Sequence, residues 1–599
     1  MGAEGSDHQH VVRQLDRPLT SAARPARPAA LAGLTAWAGR LARPLFWLLL
    51  VFTILIPCAA SLVLTISPRL FGQGTQWFTL SYLRGAFTGA TAIAITNSLW
   101  VSAAAAVLGV AIGLPVAWLA GRTTLPGRRF VAGGMWLVLL LPSWLPALGW
   151  QRLVQPDGVM YRLGLDLPGV THAIMGPFGV VLLLGLRSVP FSFLAVTAGL
   201  AGLGQEFEDA ARVHGAGRIG ALRLILPMLA PAIWSALAIG FAESISDFGV
   251  AATLAYNSNF SLATYQLYQA IDNFPPSFPA ASAMGCLLVA AVAIPLALQA
   301  RALRGRSYQM LSGRTRQAVR RQLSRPGAVC AAAGVALFYV VAIGVPGFGA
   351  VSGSLLADYG GSFSLTLFNY RAVLHASGQF GPLERSLVYA IIGASVTVAG
   401  GFIAAWLLAQ RRGTSSRVLD FLLLSAIALP SVVFAAGYIF FYNLPVMSRL
   451  GVDLYQTTTL LVIAYIASSL PTSSRVLMGA VSQLQPSLKD AARTHGSGEL
   501  TAWARGVLPV VSRPLVMAWL LTFCGVFLEL PISQLLYAPG SPPASVAIQD
   551  NLGNYHFGVG MAQSVLAVAV AMLAVAVVLG GYRLLAPAGW RRIGGARSG

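Results

Sequence analysis

The chain has 599 residues, of which 56% are hydrophobic and only 10% charged, with a formal net charge of +21. Its mean hydropathy is +0.70. So much apolar surface with so little charge excludes a soluble globular protein and makes the bilayer the natural solvent. The positive balance is almost all arginine in short segments between apolar runs, which the positive-inside rule explains without nucleic acid.

Residues 1–44 hold Arg13, Arg17, Arg24, Arg27, Arg40 and Arg43 among Pro and Ala, with no lasting periodicity. They read as a disordered basic cytosolic tail. The apolar run 45–66 is too long for the core of a cleaved signal and long enough to span. At about 20 apolar residues per crossing, further spans are predicted near 95–120, 130–150, 174–200, 229–254 and 281–300. A second set is predicted near 328–350, 385–410, 418–443, 457–481, 512–537 and 561–585. The expected organisation is a tail over 1–44, a first half over 45–300 and an arginine-rich cytosolic linker over 301–327. A second half over 328–585 and a basic cytosolic tail over 586–599 complete it. The predicted fold class is all-α: a polytopic membrane protein of about twelve transmembrane helices in two homologous six-helix halves.

Arginine sets the orientation. With the N-terminus cytosolic, Arg122, Arg128, Arg129, the linker, Arg411, Arg412 and Arg417 all fall inside, as does the C-terminal tail. The predicted outside loops 255–280 and 538–560 contain no Lys or Arg. Cys58, Cys286, Cys330 and Cys524 lie in apolar stretches with no C-x-x-C spacing, so they read as small buried hydrophobes.

The most informative pattern is a repeated polar phrase. Asp209-Ala-Ala-Arg-Val-His-Gly215 recurs as Asp490-Ala-Ala-Arg-Thr-His-Gly496, each followed by a Leu-Pro pair, Leu226-Pro227 and Leu508-Pro509. Other repeats agree with it: Ser98-Leu99 with Ser386-Leu387, Ala117-Trp118-Leu119 with Ala405-Trp406-Leu407, and Leu141-Pro142-Ser143 with Leu429-Pro430-Ser431. Such self-similarity reads as duplication of one membrane unit. Two equal polar phrases on the inside then read as two equivalent docking points. In each, Ala210-Ala211 or Ala491-Ala492 lets a short helix approach a partner closely. Gly215 or Gly496 ends the helix, and Asp209 or Asp490 complements its dipole.

This phrase, with its glycine and trailing Leu-Pro, resembles the "EAA" coupling loop of ABC importer permeases: E-A-A, three residues, G, nine residues, I-x-L-P. From Gly496 the spacing agrees, with Asp490 in place of Glu and Gly506 in place of Ile; from Gly215 it is one residue short. The segments Glu243-Ser-Ile-Ser-Asp247-Phe248-Gly249 and Glu529-Leu530-Pro531 resemble the fused permeases of iron(III), thiamine and aminoethylphosphonate importers. The resemblance implies a type I ABC importer permease fold in a bacterial plasma (inner) membrane, with both termini cytoplasmic. It implies no catalysis in this chain, with iron(III) the first-choice cargo and thiamine, 2-aminoethylphosphonate or a polyamine as alternatives. It also implies ATPase coupling through Asp209, Ala210, Ala211, Gly215, Asp490, Ala491, Ala492 and Gly496. The partners would be an ATP-binding subunit in two copies, holding ATP and Mg, and an extracytoplasmic solute-binding protein. The chain itself has no P-loop, because its single lysine is Lys489.

Glu243, Asp247 and Glu529 fall in predicted spans, where ionised groups are costly and face a cavity or a partner. They read either as a translocation path for a cation or as acids at helix ends that cap or pair. Arg187 and Arg475 are candidate partners. His214 and His495 sit inside the repeated phrase and the other histidines lack ligand spacing, so no metal site is expected. Trp and Tyr near span ends read as interface anchors. A secondary transporter is the competing class, but it does not need two docking phrases. An intramembrane enzyme needs a catalytic cluster that the sequence lacks.

Overall fold

The computed structural model describes residues 44–213, 223, 225–303, 319–357, 364–375, 380–410, 413–427, 429–484 and 506–587. The chain divides into two units, 1–52 and 53–599. Of the first, residues 44–52 are described and are helical.

In the second unit the first half contains α1 (Ile56–Ile66), α2 (Gly89–Arg122), α3 (Arg128–Leu140), α4 (Trp144–Val154), α5 (Pro177–Ala201), α6 (Gln205–Val213), α7 (Ala230–Ile245), α8 (Ala263–Asp272) and α9 (Phe278–Leu303). The second half begins with α10, Arg325–Leu355, which includes a π-helical turn at Val340–Gly344. It continues with α11 (Gly381–Gln410), α12 (Thr414–Ile427), α13 (Ser431–Tyr442), α14 (Thr458–Val481), α15 (Leu508–Phe527), α16 (Pro531–Leu536), α17 (Ala544–Gly553) and α18 (Phe557–Leu585).

Among the described residues, nine helices are long and apolar enough to cross a membrane, and two bent pairs raise the number to eleven. The shorter apolar helix α7 stands where the remaining span was expected. Four spans expected as continuous are broken. The expected span at 130–150 is α3 and α4, bent by 88°, and that at 418–443 is α12 and α13, bent by 107°. The breaks fall at the repeated Leu-Pro-Ser, where proline removes a backbone donor and disfavours helix in the residue before it. The span expected at 229–254 ends at Ile245 and resumes as a helical run over 249–257. The one expected at 512–537 ends at Phe527 and resumes at Pro531.

The duplication extends to packing. In the first half α2 packs on α5 and α7; in the second α11 packs on α14 and α15. Both bundles use the same close approach. A Cβ at Gly113 would stand 2.6 Å from Ser192 Cβ, and one at Gly401 would stand 2.8 Å from Ser473 Oγ. Small residues at helix crossings supply the close van der Waals contact that drives association in lipid. The first helix of each half also crosses to the other. α1 packs on α13, and the C-terminal part of α10 packs on α4. There a Cβ on Gly437 or Gly149 would collide with the carbonyl of Pro57 or Pro346.

Candidate functional site

All four helix breaks line one cavity of about 480 Å³ between the halves. Its walls include Pro142, Ser143 and Trp144 from the first break and Leu429 and Ser431 from its repeat. Asp247, Phe248 and Gly249 come from the third, and Glu529, Leu530 and Pro531 from the fourth. Broken helices at membrane depth are tolerated where their free backbone faces a cavity or other protein, as it does here. The Trp144 indole donates to the Leu528 carbonyl at 3.1 Å and ties one break to another across the halves.

The three acids singled out in the sequence, Glu243, Asp247 and Glu529, all line this cavity, but they do different work. Asp247 Oδ1 accepts from the Val250 backbone N–H at 2.8 Å and caps the resumed helix. Glu529 Oε1 accepts from Ile532 N at 2.9 Å, and its Oε2 accepts from Ser533 N and Ser533 Oγ, each at 2.9 Å. It caps α16 in the same way. A carboxylate at the first turn satisfies the orphan N–H groups and complements the dipole. The carbonyls of these acids are held alike too, Asp247 by the Thr264 hydroxyl and Glu529 by the Ser545 hydroxyl. Glu243, on α7, is instead exposed to the cavity. Its counterpart at the Asp247-to-Glu529 offset (529 − 247 = 282) is Gly525, also in the lining, so one wall offers a carboxylate where the other offers open space.

Of the arginines named as partners, Arg187 reaches the cavity. Its Nη1 donates to the Leu141 carbonyl at 2.6 Å and its Nε lies 4.0 Å from Asp247 Oδ2. Arg475 does not partner these acids: its Nη2 is 2.7 Å from Asp420 Oδ1 on α12.

A second cavity, about 920 Å³, lies beyond the first and shares Phe248 and Leu530 with it. These two residues are 3% and 1% exposed, and each follows its capping acid in the sequence. They form the apolar wall between the cavities. The second cavity is lined from both halves, by Tyr256, Tyr265 and Tyr268 among others, and by Gln534 and Asp550. Gln534 Nε2 donates to the Tyr268 hydroxyl at 3.3 Å. These tyrosines, expected as interface anchors, instead pack with Phe248 as a ring cluster, with Tyr256 and Tyr265 centroids 4.7 Å apart. Burial pushes the Tyr265 phenol up to about 12 and raises the Asp550 carboxyl above its ordinary value. The cluster carried no sequence signal beyond aromatic residues at i, i+3 spacing on α8.

Of the predicted docking residues, Asp209, Ala210 and Ala211 lie on α6, where the Gln205 amide donates to Asp209 Oδ1 at 3.1 Å. Gly215, Asp490, Ala491, Ala492 and Gly496 lie outside the described residues, as do His214 and His495. No cluster of three His, Cys, Asp or Glu suited to a metal occurs among the described residues.

Residues 109–307 and 397–589 each match the family described as binding-protein-dependent transport system inner membrane component. The chain belongs to this family. It is a fused two-half permease subunit of an ATP-driven, binding-protein-dependent importer, multi-pass in the inner membrane. The permease is 24% identical over 537 residues to the ferric transport system permease protein FbpB of Actinobacillus pleuropneumoniae, covering 88% of this chain and 75% of that protein. It is 22% identical over 524 residues to the Fe(3+)-transport system permease protein FbpB 2 of Haemophilus influenzae, covering 86% and 94%. A shorter similarity, 31% over 206 residues, covers 34% of the permease and 88% of the molybdenum transport system permease protein ModB of Escherichia coli.

Proposed function

We propose that this permease moves iron(III) inward through the cavity formed by the four helix breaks. The observation that carries the reading is Glu243, a carboxylate exposed to a cavity whose other two acids are occupied as caps. An intramembrane carboxylate facing a cavity attracts a cation and repels an anion. Similarity over most of the chain to permeases named for ferric transport supports the same cargo. Arg187 does not reverse this preference, because the cavity's lining sets three acids, Glu243, Asp247 and Glu529, against this one guanidinium, which lies 4.0 Å from Asp247.

The family match supports the following reading of the rest of the cycle. A solute-binding protein delivers cargo to the second, tyrosine-lined cavity. Two copies of a separate ATP-binding subunit, holding ATP and Mg, dock at Asp209, Ala210, Ala211 and Gly215 and at Asp490, Ala491, Ala492 and Gly496. Their closure rocks the halves, and the Phe248–Leu530 wall opens and closes between the cavities. Both termini lie in the cytoplasm. The test is uptake of radiolabelled iron(III) into proteoliposomes that contain permease, ATPase and binding protein. Glu243→Gln is expected to lower uptake at least tenfold, by the loss of a charge worth ~1.4 kcal/mol or more at low dielectric, with the ATPase subunit still bound. Wild-type iron uptake by Glu243→Gln, or uptake of molybdate in place of iron, refutes the reading.

A further inference from the structure

The linker that joins the halves is tied to the first docking helix. Gln205, 4% exposed at the start of α6, uses both ends of its amide. Its Nε2 donates to Asp209 Oδ1 at 3.1 Å and its Oε1 accepts from the backbone N–H of Val319 at 2.9 Å. Only one orientation of the amide satisfies a carboxylate on one side and an N–H on the other. From Val319 the chain pairs in parallel with the end of α2. Arg321 N donates to the Arg122 carbonyl at 2.9 Å, Thr124 N to the Arg321 carbonyl at 3.0 Å, and Leu323 N to Thr124 Oγ1 at 3.3 Å. The Arg122 guanidinium, 5% exposed, donates to the carbonyls of Leu200 and Leu203 at 3.1 and 2.6 Å, where α5 ends. Four residues after Arg321 the chain enters α10, whose start is capped by the Ser324 hydroxyl. A continuous hydrogen-bonded path therefore runs from the docking helix of the first half to the first helix of the second. The sequence of the second half offers no copy of it. At the phrase offset (490 − 209 = 281) Gln205 corresponds to Pro486, and at the earlier offset (386 − 98 = 288) Arg122 corresponds to Gln410.

We propose that Gln205 is a positioning residue that holds α6 to the linker at Val319, so that movement of the first docking helix passes directly to α10 of the second half. The proposal rests on the reading of Asp209–Gly215 as an ATPase docking point. It makes the two docking points unequal: one acts on both halves, the other on its own half.

The experiment uses the full chain with its ATPase and binding protein in proteoliposomes. It measures cargo imported per ATP hydrolysed and, separately, ATPase subunit retained on purification. Gln205→Met keeps the side-chain length without the amide, and Val319→Pro removes the linker donor from a non-helical position. Each is expected to keep the ATPase subunit and to lower import per ATP about fivefold, the scale of one hydrogen bond. Because both break the same bond, the double variant should fall no further than either single one. Gln205→Glu, which keeps an acceptor for Val319 but repels Asp209, should lie between wild type and Gln205→Met. An unchanged ratio in Val319→Pro, or a double variant whose loss is the product of the two single losses, overturns the proposal. A separate pair, Asp209→Lys with Asp490→Lys, tests docking itself. If it retains the ATPase subunit and imports normally, the docking reading fails. If it fails to retain the subunit while Val319→Pro behaves as wild type, only the role of Gln205 falls.

Discussion

The glycine contacts at the α2–α5 and α11–α14 crossings give the sharpest quantitative test. In Gly113→Ala the new methyl would stand 2.6 Å from Ser192 Cβ, 2.9 Å from the Val189 carbonyl and 3.2 Å from Phe193 N. Two of these three atoms are backbone, so the strain cannot be relieved by a side-chain rotation. The helices must part by roughly an ångström to restore ordinary van der Waals contact, at the overpacking cost of about 1–3 kcal/mol. In Gly401→Ala the nearest atom is the Ser473 hydroxyl at 2.8 Å, which can turn away, leaving Ser474 N at 3.1 Å. Its cost should lie at the low end of the same range, about 1 kcal/mol. A methyl at Gly334 or Gly133 would meet nothing within 4 Å, so Gly334→Ala and Gly133→Ala are matched controls. The assay is thermal unfolding of the purified permease in detergent at one fixed scan rate, since such transitions are rate-dependent. Gly113→Ala should melt roughly 1–2 °C below wild type, Gly401→Ala less so, and the controls no lower than wild type. Import should fall with Gly113→Ala as well, because α5 carries Arg187, which holds the Leu141 carbonyl at the cavity's first break. If Gly113→Ala melts with the controls, the close approach is not part of the fold.

Three further outcomes are expected. Replacing Phe248 and Leu530 together with Ala removes the apolar wall between the cavities, so proteoliposomes carrying the double variant should leak small ions without ATP; a sealed double variant rules out the wall. The same change should also cost stability by about 2–5 kcal/mol for each side chain, since both are almost fully buried. Accessibility tags at Arg314 and in the N-terminal tail should map to the cytosol and tags at Asn257 and Pro542 to the outside, and reversal at any one of them overturns the orientation. Substituting Leu for Gly215 and Gly496 together should abolish import while the protein stays in the membrane, and import at the wild-type rate would remove the helix-exit role assigned to these glycines.

The duplication, the membrane class and the number of apolar segments were legible because they reside in composition and in short phrases that survive divergence. The breaks were half legible. Leu141-Pro142-Ser143 and its repeat were visible as matching phrases, but proline within a membrane helix is often accommodated, so the bend is decided by tertiary packing. The acids were visible as costly residues in spans, yet their roles depended on where the helices stop. One-dimensional spacing does not tell that Asp247 and Glu529 end up at the first turn of a resumed helix whereas Glu243 lies in the last turn of the helix before the break. The tyrosine cluster was missed because rings near span ends serve equally well as interface anchors. The Gln205–Val319 contact had no signal at all, since its linker partner is a backbone amide whose identity the sequence does not encode.

Duplication followed by local divergence explains how one chain can hold a cavity that is symmetric in frame and asymmetric in chemistry. The frame is copied: breaks at Pro142 and Pro430, caps at Asp247 and Glu529, and hydroxyl clamps at Thr264 and Ser545. Each of these groups satisfies backbone that a broken membrane helix would otherwise expose, a requirement equal in both halves. Neither copy is therefore free to lose them. The lining is not copied. Glu243 faces the cavity where the second half has Gly525, and Arg187 stands where it has Ser468. A second arginine and a second free acid would each have to be desolvated in a space of about 480 Å³, and their mutual repulsion or pairing would compete with cargo for the same field. One exposed carboxylate opposite an open glycine wall avoids that competition. It leaves one carboxylate without a capping role, with room beside it.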